Sequence, residues 1–183
     1  MKWLMILTTV LISFSTLAAD SAVVVVETNK GNFEIELYPD KAPISVQNFL
    51  NYVDTKFYDN TIIHRVVKNF VVQAGGLNKD LSEKPTNAPI ANEANNGLSN
   101  LKGTVALART EEIDSATSHF FINLKDNIRL DYVDPAHYGY AVFGKIISGY
   151  EVVEEIEKQN VQSVGDYDDV PVQPIVLTSV HRK

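Results

Sequence analysis

The sequence of 183 residues contains no cysteine, which excludes disulfide bonds, thiolate metal sites and a cysteine nucleophile. Basic residues are scarce relative to acidic ones, since 16 Lys and Arg stand against 23 Asp and Glu and give a net charge of −7. This balance argues against a protein that binds nucleic acid through the phosphate backbone. Enzyme chemistry in this chain must therefore depend on histidine, arginine, carboxylate or hydroxyl groups.

Recognisable metal and cofactor motifs are also missing from the sequence. Its 4 histidines have no histidine or glutamate partner at metal-ligand spacing. The sequence has no Gly-x-Ser-x-Gly nucleophile motif and no glycine-rich phosphate loop. We therefore expect the protein to bind neither a metal nor a cofactor.

The long uncharged run of the sequence lies at the N-terminus, at residues 3–17. It is shorter than the ~20 apolar residues that a membrane-spanning helix needs. Lys2 precedes the run, and Ala18 and Ala19 follow it, as in a secretory signal peptide with small residues at its cleavage site. We predict that residues 1–19 are cleaved, that the protein is exported to the periplasm, and that it is not held in the membrane.

Residues 20–183 have the length of one domain, and their apolar residues follow the spacing of short strands and two helices. The predicted strands are 23–28, 33–37, 62–67, 70–73, 104–109, 120–124, 141–147 and 175–180. The predicted helices begin at Pro43, with apolar residues at helical spacing up to Val53, and at Tyr150, ending near Lys158. Eight strands with only two helices favour a mainly β fold, a closed antiparallel barrel capped by the helices. Residues 74–102 have no sustained period and are predicted to form a long loop that is either functional or mobile.

An arginine interrupts the apolar strand predicted at 62–67. A bend at Lys68 and Asn69 would bring Phe70 and Gln73 close to this residue, Arg65. Two interpretations are open at this point. Arg65 either belongs to a functional site with these neighbours, or it forms a structural ion pair with a nearby carboxylate.

Residues 63–76, IHRVVKNFVVQAGG, closely resemble the signature of the cyclophilin-type peptidyl-prolyl cis-trans isomerases. Further blocks agree with the family in the same order, at 93–97, 103–109, 115–123 and 140–145. The resemblance spans about residues 22–181 and is greatest to the compact, exported bacterial members. It implies an eight-stranded antiparallel barrel closed by two helices, with an active-site groove on the outer face of the barrel.

The resemblance also implies the roles of individual residues. Arg65 is the catalytic arginine, which acts on the prolyl amide of the substrate, and Gln73 is the residue that orients it. The other implied residues bind substrate: Phe70, Val71, Phe121 and Leu130 as walls of the proline pocket, with Arg109, His119, Arg129 and Tyr140 around it.

Four of these positions depart from the usual family residues. Tyr140 stands where eukaryotic members commonly have histidine, and His119 stands where most members have glutamine. Val71 replaces the methionine that is usual in many members. Arg129 stands where many members have tryptophan or phenylalanine, an aromatic residue that contributes strongly to binding of the inhibitor cyclosporin. We expect these departures to change substrate preference and inhibitor binding rather than to abolish activity.

The resemblance predicts a monomeric isomerase that acts on proline-containing segments of exported proteins during their folding and that binds no nucleic acid. Two alternatives belong to other functional classes. A chaperone module would bind proline-containing peptides without turning them over, and loss of Arg65 would have favoured it. A small-ligand barrel of the lipocalin type would need a hollow interior, whereas the inward positions of this chain carry large apolar residues.

Overall fold

The computed structural model describes residues 23–183, so the predicted signal peptide lies outside the described residues. The strands are β1 (Val23–Thr28), β2 (Gly31–Leu37), β3 (Ile62–Val67), β4 (Val71–Ala74), β5 (Thr104–Leu107), β6 (Phe120–Asn123), β7 (Val142–Ser148), β8 (Val161–Val164), β9 (Tyr167–Pro171) and β10 (Ile175–Arg182). The helices are α1 (Pro43–Asp54) and α2 (Tyr150–Glu157). Eight strands form a closed barrel in the order β1-β10-β3-β4-β6-β5-β7-β2, and neighbouring strands are antiparallel. The predicted fold class is confirmed.

The barrel closes around a filled apolar interior. Along β1 and β2, alternate residues such as Val24, Val26 and Ile35 are fully buried, as expected for strands with one face toward a core. Aromatic rings occupy the centre, where the Phe49 ring lies 5.5 Å from that of Phe120 and 5.1 Å from that of Phe143. Within residues 23–183 the barrel interior is thus filled by side chains, unlike the hollow interior that a ligand barrel of the lipocalin type needs.

Both helices pack their apolar faces against the barrel core. Pro43 occupies the start of α1, where its missing N–H costs no hydrogen bond. The predicted apolar face of α1 is buried at Val46, Phe49, Leu50 and Val53. In α2 the buried residues are Val153 and Ile156, and they join the same apolar cluster as α1.

The long loop predicted at 74–102 is tied to the rest of the fold at several points. The carboxylate of Glu93 accepts hydrogen bonds from the backbone N–H groups of Ile44 (3.0 Å) and Ser45 (2.7 Å) at the start of α1. A bridge also pairs Ile90 with Ala116. A negative charge at a helix N-terminus is favourable, so the helix and the loop stabilise each other.

Several strand bounds differ from the sequence prediction by one or two residues, and the strand predicted at 104–109 ends at Leu107. β4 begins at Val71 rather than Phe70, because the turn before it includes Phe70. Within this turn Asn69 adopts a left-handed backbone conformation with φ 55°. The β8–β9 hairpin was not predicted, since the four residues of β8 are all exposed and lack an alternating apolar pattern. This hairpin forms a separate two-stranded sheet outside the barrel.

Candidate active site

A cleft of about 180 Å³ lies on the outer face of the barrel. It is lined by Arg65, Phe70, Val71, Gln73, Ala108, Arg109, Phe121, Leu130 and Tyr140. Strand alternation explains its position, because Val72 and Ile122 belong to the interior core, whereas Val71 and Phe121 belong to a second apolar cluster. The floor of the cleft is therefore the outward face of β4 and β6.

Arg65 and Gln73 are directly paired across β3 and β4. The Arg65 Nη1 donates a hydrogen bond of 3.5 Å to the Gln73 Oε1. The turn at Asn69 places Phe70 on the same cleft. The predicted convergence of Arg65, Phe70 and Gln73 is therefore confirmed.

Arg65 also has an acidic neighbour. Its Nε lies 3.9 Å from the Oδ2 of Asp169, and the two side chains are 39% and 38% exposed. Ion pairs of this exposure contribute little to folding stability. Arg65 is therefore not a buried structural ion pair, and its guanidinium remains accessible to the cleft.

The Arg109 side chain joins the loops that border the cleft. Its Nε donates a hydrogen bond of 2.9 Å to the carbonyl oxygen of Gly139, and its Nη1 donates one of 2.9 Å to that of Thr110. Its Cζ lies 4.8 Å from the centre of the Tyr140 ring, which packs edge-on against the Phe121 ring at 5.5 Å. The guanidinium thus joins the loops that form one wall of the cleft.

Two residues predicted to bind substrate lie beside this cleft rather than on it. His119 lines a neighbouring cleft of about 560 Å³ together with Glu83 and Lys84. Arg129 is exposed and lines a cleft of about 620 Å³ on another side, with its Cζ 5.0 Å from the centre of the Phe70 ring. The remaining eight predicted residues all line the central cleft.

Buried amide groups beneath the cleft are functional candidates that the sequence did not indicate. They belong to Asn100, Asn123 and Asn127. The Asn123 Nδ2 donates to the Asn100 Oδ1 (3.1 Å), and the Asn127 Nδ2 donates to the Asn123 Oδ1 (2.8 Å). Asparagines are frequent in this chain and mostly mark turns, so no local signal distinguishes these three.

This amide network holds the backbone of the cleft. The Asn127 Nδ2 donates to the carbonyl oxygen of Phe70 (2.9 Å). The Asn100 Nδ2 donates to those of Leu130 (3.2 Å) and Tyr140 (3.3 Å). Three cleft residues from separate segments are therefore positioned by one buried network.

His64 lies behind Arg65 and is only 4% exposed. Burial, reinforced by the neighbouring charges of His119 and Arg65, lowers the pKa of His64 from 6.5 to about 3. Burial also lowers the pKa of His119, against the opposing effect of Glu83. Both imidazoles are therefore neutral at neutral pH, whereas the Arg65 guanidinium is cationic.

Glycine allows the close approach of His119. A Cβ at Gly76 would lie 1.8 Å from the Nε2 of His119, too close for any other residue to replace this glycine without moving the ring.

Within residues 23–183, no group of three or more histidine, aspartate or glutamate side chains is placed to hold a metal ion. The helices in the same range are too short or too polar to cross a membrane.

Comparison with known proteins agrees with the barrel fold. Residues 23–182 match the family described as cyclophilin type peptidyl-prolyl cis-trans isomerase/CLD. The chain belongs to the cyclophilin-type peptidyl-prolyl cis-trans isomerases. It is 50% identical over 162 residues to peptidyl-prolyl cis-trans isomerase A of Dickeya dadantii, an alignment that covers 88% of this chain and 85% of that protein. It is also 50% identical over 173 residues to a peptidyl-prolyl cis-trans isomerase of Acinetobacter baylyi, covering 94% of this chain and 90% of that protein.

The fold of this isomerase is also similar to that of solved cyclophilins. A Cryptosporidium parvum cyclophilin, whose crystal structure was determined in the presence of the dipeptide Ala-Pro, superposes with a TM-score of 0.74. The alignment has 23% sequence identity and covers 88% of this chain and 98% of that one. At this identity the likeness supports the barrel fold alone.

The buried amide network predicts a large stability effect in this isomerase. Replacing Asn123 with alanine removes a fully buried side chain. The Asn127 Nδ2 and the Thr104 Oγ1 each lose the hydrogen bond that they form with Asn123. We expect the free energy of unfolding to fall by about 2–3 kcal/mol, as for other buried polar groups left unsatisfied. Urea unfolding measures this loss. The exposed Asn95→Ala should change stability by less than about 0.5 kcal/mol, and an equal loss in both variants would contradict the assigned role of the network.

His64 predicts that stability depends on pH. Its folded-state pKa of about 3 lies below the ordinary 6.5, so the unfolded chain binds more protons between these two values. Stability should therefore be full above pH 6.5 and decline as the pH falls toward 3. Lowering the pH to 5 should cost about 2 kcal/mol through this group.

Urea unfolding of the wild type and of His64→Gln at pH 7.5 and pH 5 tests this dependence. Glutamine has no titrating ring, so the variant should lose less stability over this interval than the wild type does. Equal losses in the two proteins would show that other groups cause the acid sensitivity.

Proposed function

We propose that this isomerase accelerates rotation about X–Pro bonds in exported polypeptides, and that Arg65 stabilises the twisted prolyl amide during that rotation. The observation that supports the proposal is the Arg65–Gln73 pair at the edge of a small apolar cleft. A guanidinium next to an apolar recess suits a substrate with an apolar ring and a nearby amide nitrogen.

The physical basis is the resonance of the prolyl amide. Resonance holds the bond planar with a barrier of ~18–20 kcal/mol, and uncatalysed exchange takes tens to hundreds of seconds. In the twisted transition state the prolyl nitrogen becomes pyramidal and regains its lone pair. An Arg65 N–H directed at that nitrogen stabilises the twisted state more than the planar ground state. The reaction requires no proton transfer and no covalent intermediate.

The cleft walls supply binding. Phe70, Val71, Phe121 and Leu130 provide apolar surface for the proline ring, while the segment on the other side of the bond rotates. A prolyl dipeptide was present in the crystal of the Cryptosporidium parvum relative, which supports short proline-containing segments as the ligand class. Because the cleft is open to solvent on one face of the barrel, an extended client chain can reach it.

A protease-coupled assay on an Ala-Pro-Phe peptide tests the proposal with the chain from residue 20 onward. Turnover that depends on Arg65 would support it. Peptide binding without turnover would favour the alternative of a non-catalytic chaperone module. Light scattering on the same sample tests the expected monomeric state.

We further propose that the isomerase works after export, in the periplasm. The proposal is supported by the charge, apolar run and small residues of positions 1–19. N-terminal sequencing of the protein recovered from the periplasmic fraction should therefore begin at Ala19 or Asp20. Recovery of chains that begin at Met1 in the membrane fraction would show that the segment is retained as an anchor.

A further inference from the structure

The Arg65 guanidinium forms a hydrogen bond with one side chain and an ion pair with another. The Gln73 Oε1 lies 3.5 Å from Nη1, and the Asp169 Oδ2 lies 3.9 Å from Nε. The two acceptors come from different elements, β4 of the barrel and β9 of the outer hairpin. Together they restrict the rotation of the guanidinium more than either does alone.

The outer hairpin holds Asp169 in place. β9 packs against β3, the strand of Arg65, and the neighbours of Asp169 anchor it there. Val170 is only 6% exposed, and Pro171 is buried. The Tyr167 ring packs against an apolar cluster of Ile62, Leu77 and Val176. Asp169 is therefore fixed on both sides, although β8 and β9 form a sheet separate from the barrel in residues 23–183.

The backbone at Asp169 is also unusual. Its φ of 58° lies in the left-handed region, which aspartate and asparagine tolerate better than most residues. Stability alone does not account for this arrangement, because an ion pair of this exposure contributes little to folding. The hairpin places the Asp169 carboxylate next to the Arg65 guanidinium.

We infer that Asp169 is a positioning residue for isomerisation, which orients the Arg65 guanidinium toward the prolyl nitrogen in cooperation with Gln73. This inference rests on the proposed role of Arg65. Asp169 does not line the apolar cleft, so it should act on the rotation step rather than on peptide binding. The effect should therefore appear in kcat and leave KM close to the wild-type value.

Three substitutions at this position distinguish the effect of the carboxylate charge on kcat from the effect of the side chain itself. Asp169→Asn removes the charge and keeps the shape, and Asp169→Gly removes the side chain while tolerating the positive φ. Asp169→Glu restores a carboxylate on a longer stem. Kinetics on the Ala-Pro-Phe peptide should show kcat lowered about three- to fivefold in the asparagine variant. The loss should be at least as large in the glycine variant and smaller in the glutamate variant, with KM changed by less than about twofold in each.

Asp168→Asn is the matched control, since it removes the same charge from the same strand. The Asp168 Oδ1 accepts a hydrogen bond of 2.6 Å from the Ser163 Oγ, whereas the carboxylate paired with Arg65 is that of Asp169. This variant should keep the wild-type kcat. In an Arg65→Ala background, Asp169→Asn should cause no further loss.

The outcomes distinguish this inference from the proposed function. Wild-type kcat in both Asp169→Asn and Asp169→Gly, with activity lost in Arg65→Ala, would overturn the role of Asp169 and leave that of Arg65 intact. An equal loss of kcat in Asp168→Asn would show that the effect comes from the overall negative charge of the hairpin, and it would overturn the specific role of Asp169. A loss of kcat that follows a lowered urea midpoint would show a structural role instead. Full activity in Arg65→Ala would overturn the proposed function itself.

Discussion

Replacing Arg65 with alanine is expected to lower kcat/KM for the Ala-Pro-Phe peptide by ~10²–10³, the largest effect of any substitution in the cleft. Removing a single donor that stabilises developing charge in other enzymes costs ~2.7–4 kcal/mol. In the proposed mechanism Arg65 has the same task, because its guanidinium lies at the edge of the central cleft, paired with Gln73. The coupled assay measures the loss directly.

The stability of Arg65→Ala separates this prediction from the ion-pair interpretation. The Arg65 side chain is 39% exposed, so the free energy of unfolding should fall by only ~0.5 kcal/mol. Gln73→Ala should reduce kcat/KM less than Arg65→Ala does, since it removes one acceptor and retains the cation. Retained activity in a protein that unfolds much more easily would instead identify Arg65 as a structural residue.

The second large effect concerns the inhibitor cyclosporin. In this isomerase Arg129 stands at the rim, with its Cζ 5.0 Å from the Phe70 ring, where an aromatic ring would cover apolar inhibitor surface. The charged head of Arg129 prefers water and would be desolvated by an apolar macrocycle. We expect cyclosporin to bind about 1.5–3 kcal/mol more weakly than it binds a tryptophan-bearing relative, roughly a tenfold to more than hundredfold difference in Kd.

Arg129→Trp provides the test, because tryptophan restores apolar area and an N–H donor at this position. Calorimetric titration should show the Kd for cyclosporin falling toward that of the relative. An Arg129→Gln variant removes the charge without adding a ring, so it should recover only part of the affinity. Tight binding of cyclosporin to the wild-type protein would contradict the prediction and would indicate that residues 129–139 align differently with the family.

Much of the fold could be predicted because its signals are local. Alternation along 33–37 and helical spacing from Val46 to Val53 depend only on neighbours in the chain, and both elements occur where predicted. The motif around Arg65 and Gln73 was equally local, since a single turn at Asn69 brings the two ends together.

The positions of His119 and Arg129 were harder to predict. Their place in the motif blocks puts them near the proline cleft, but whether a side chain enters that cleft depends on the packing around it. Gly76 leaves room for the His119 ring in the neighbouring cleft. The exposed Arg129 packs its guanidinium over the Phe70 ring and lines the cleft of about 620 Å³ rather than the central one.

The sequence by itself determined the family, the barrel with two helices and eight of the residues that line the cleft, because strand periodicity and motif order are properties of short segments. Only the tertiary structure decided how these residues are held. The asparagine network and the Arg65–Asp169 pair join residues far apart in the chain, and they form only when the barrel closes and the outer hairpin packs on β3. Hydrogen bonds and ion pairs of this kind leave no periodic pattern in the sequence, since each depends on a single pair of side chains meeting in space.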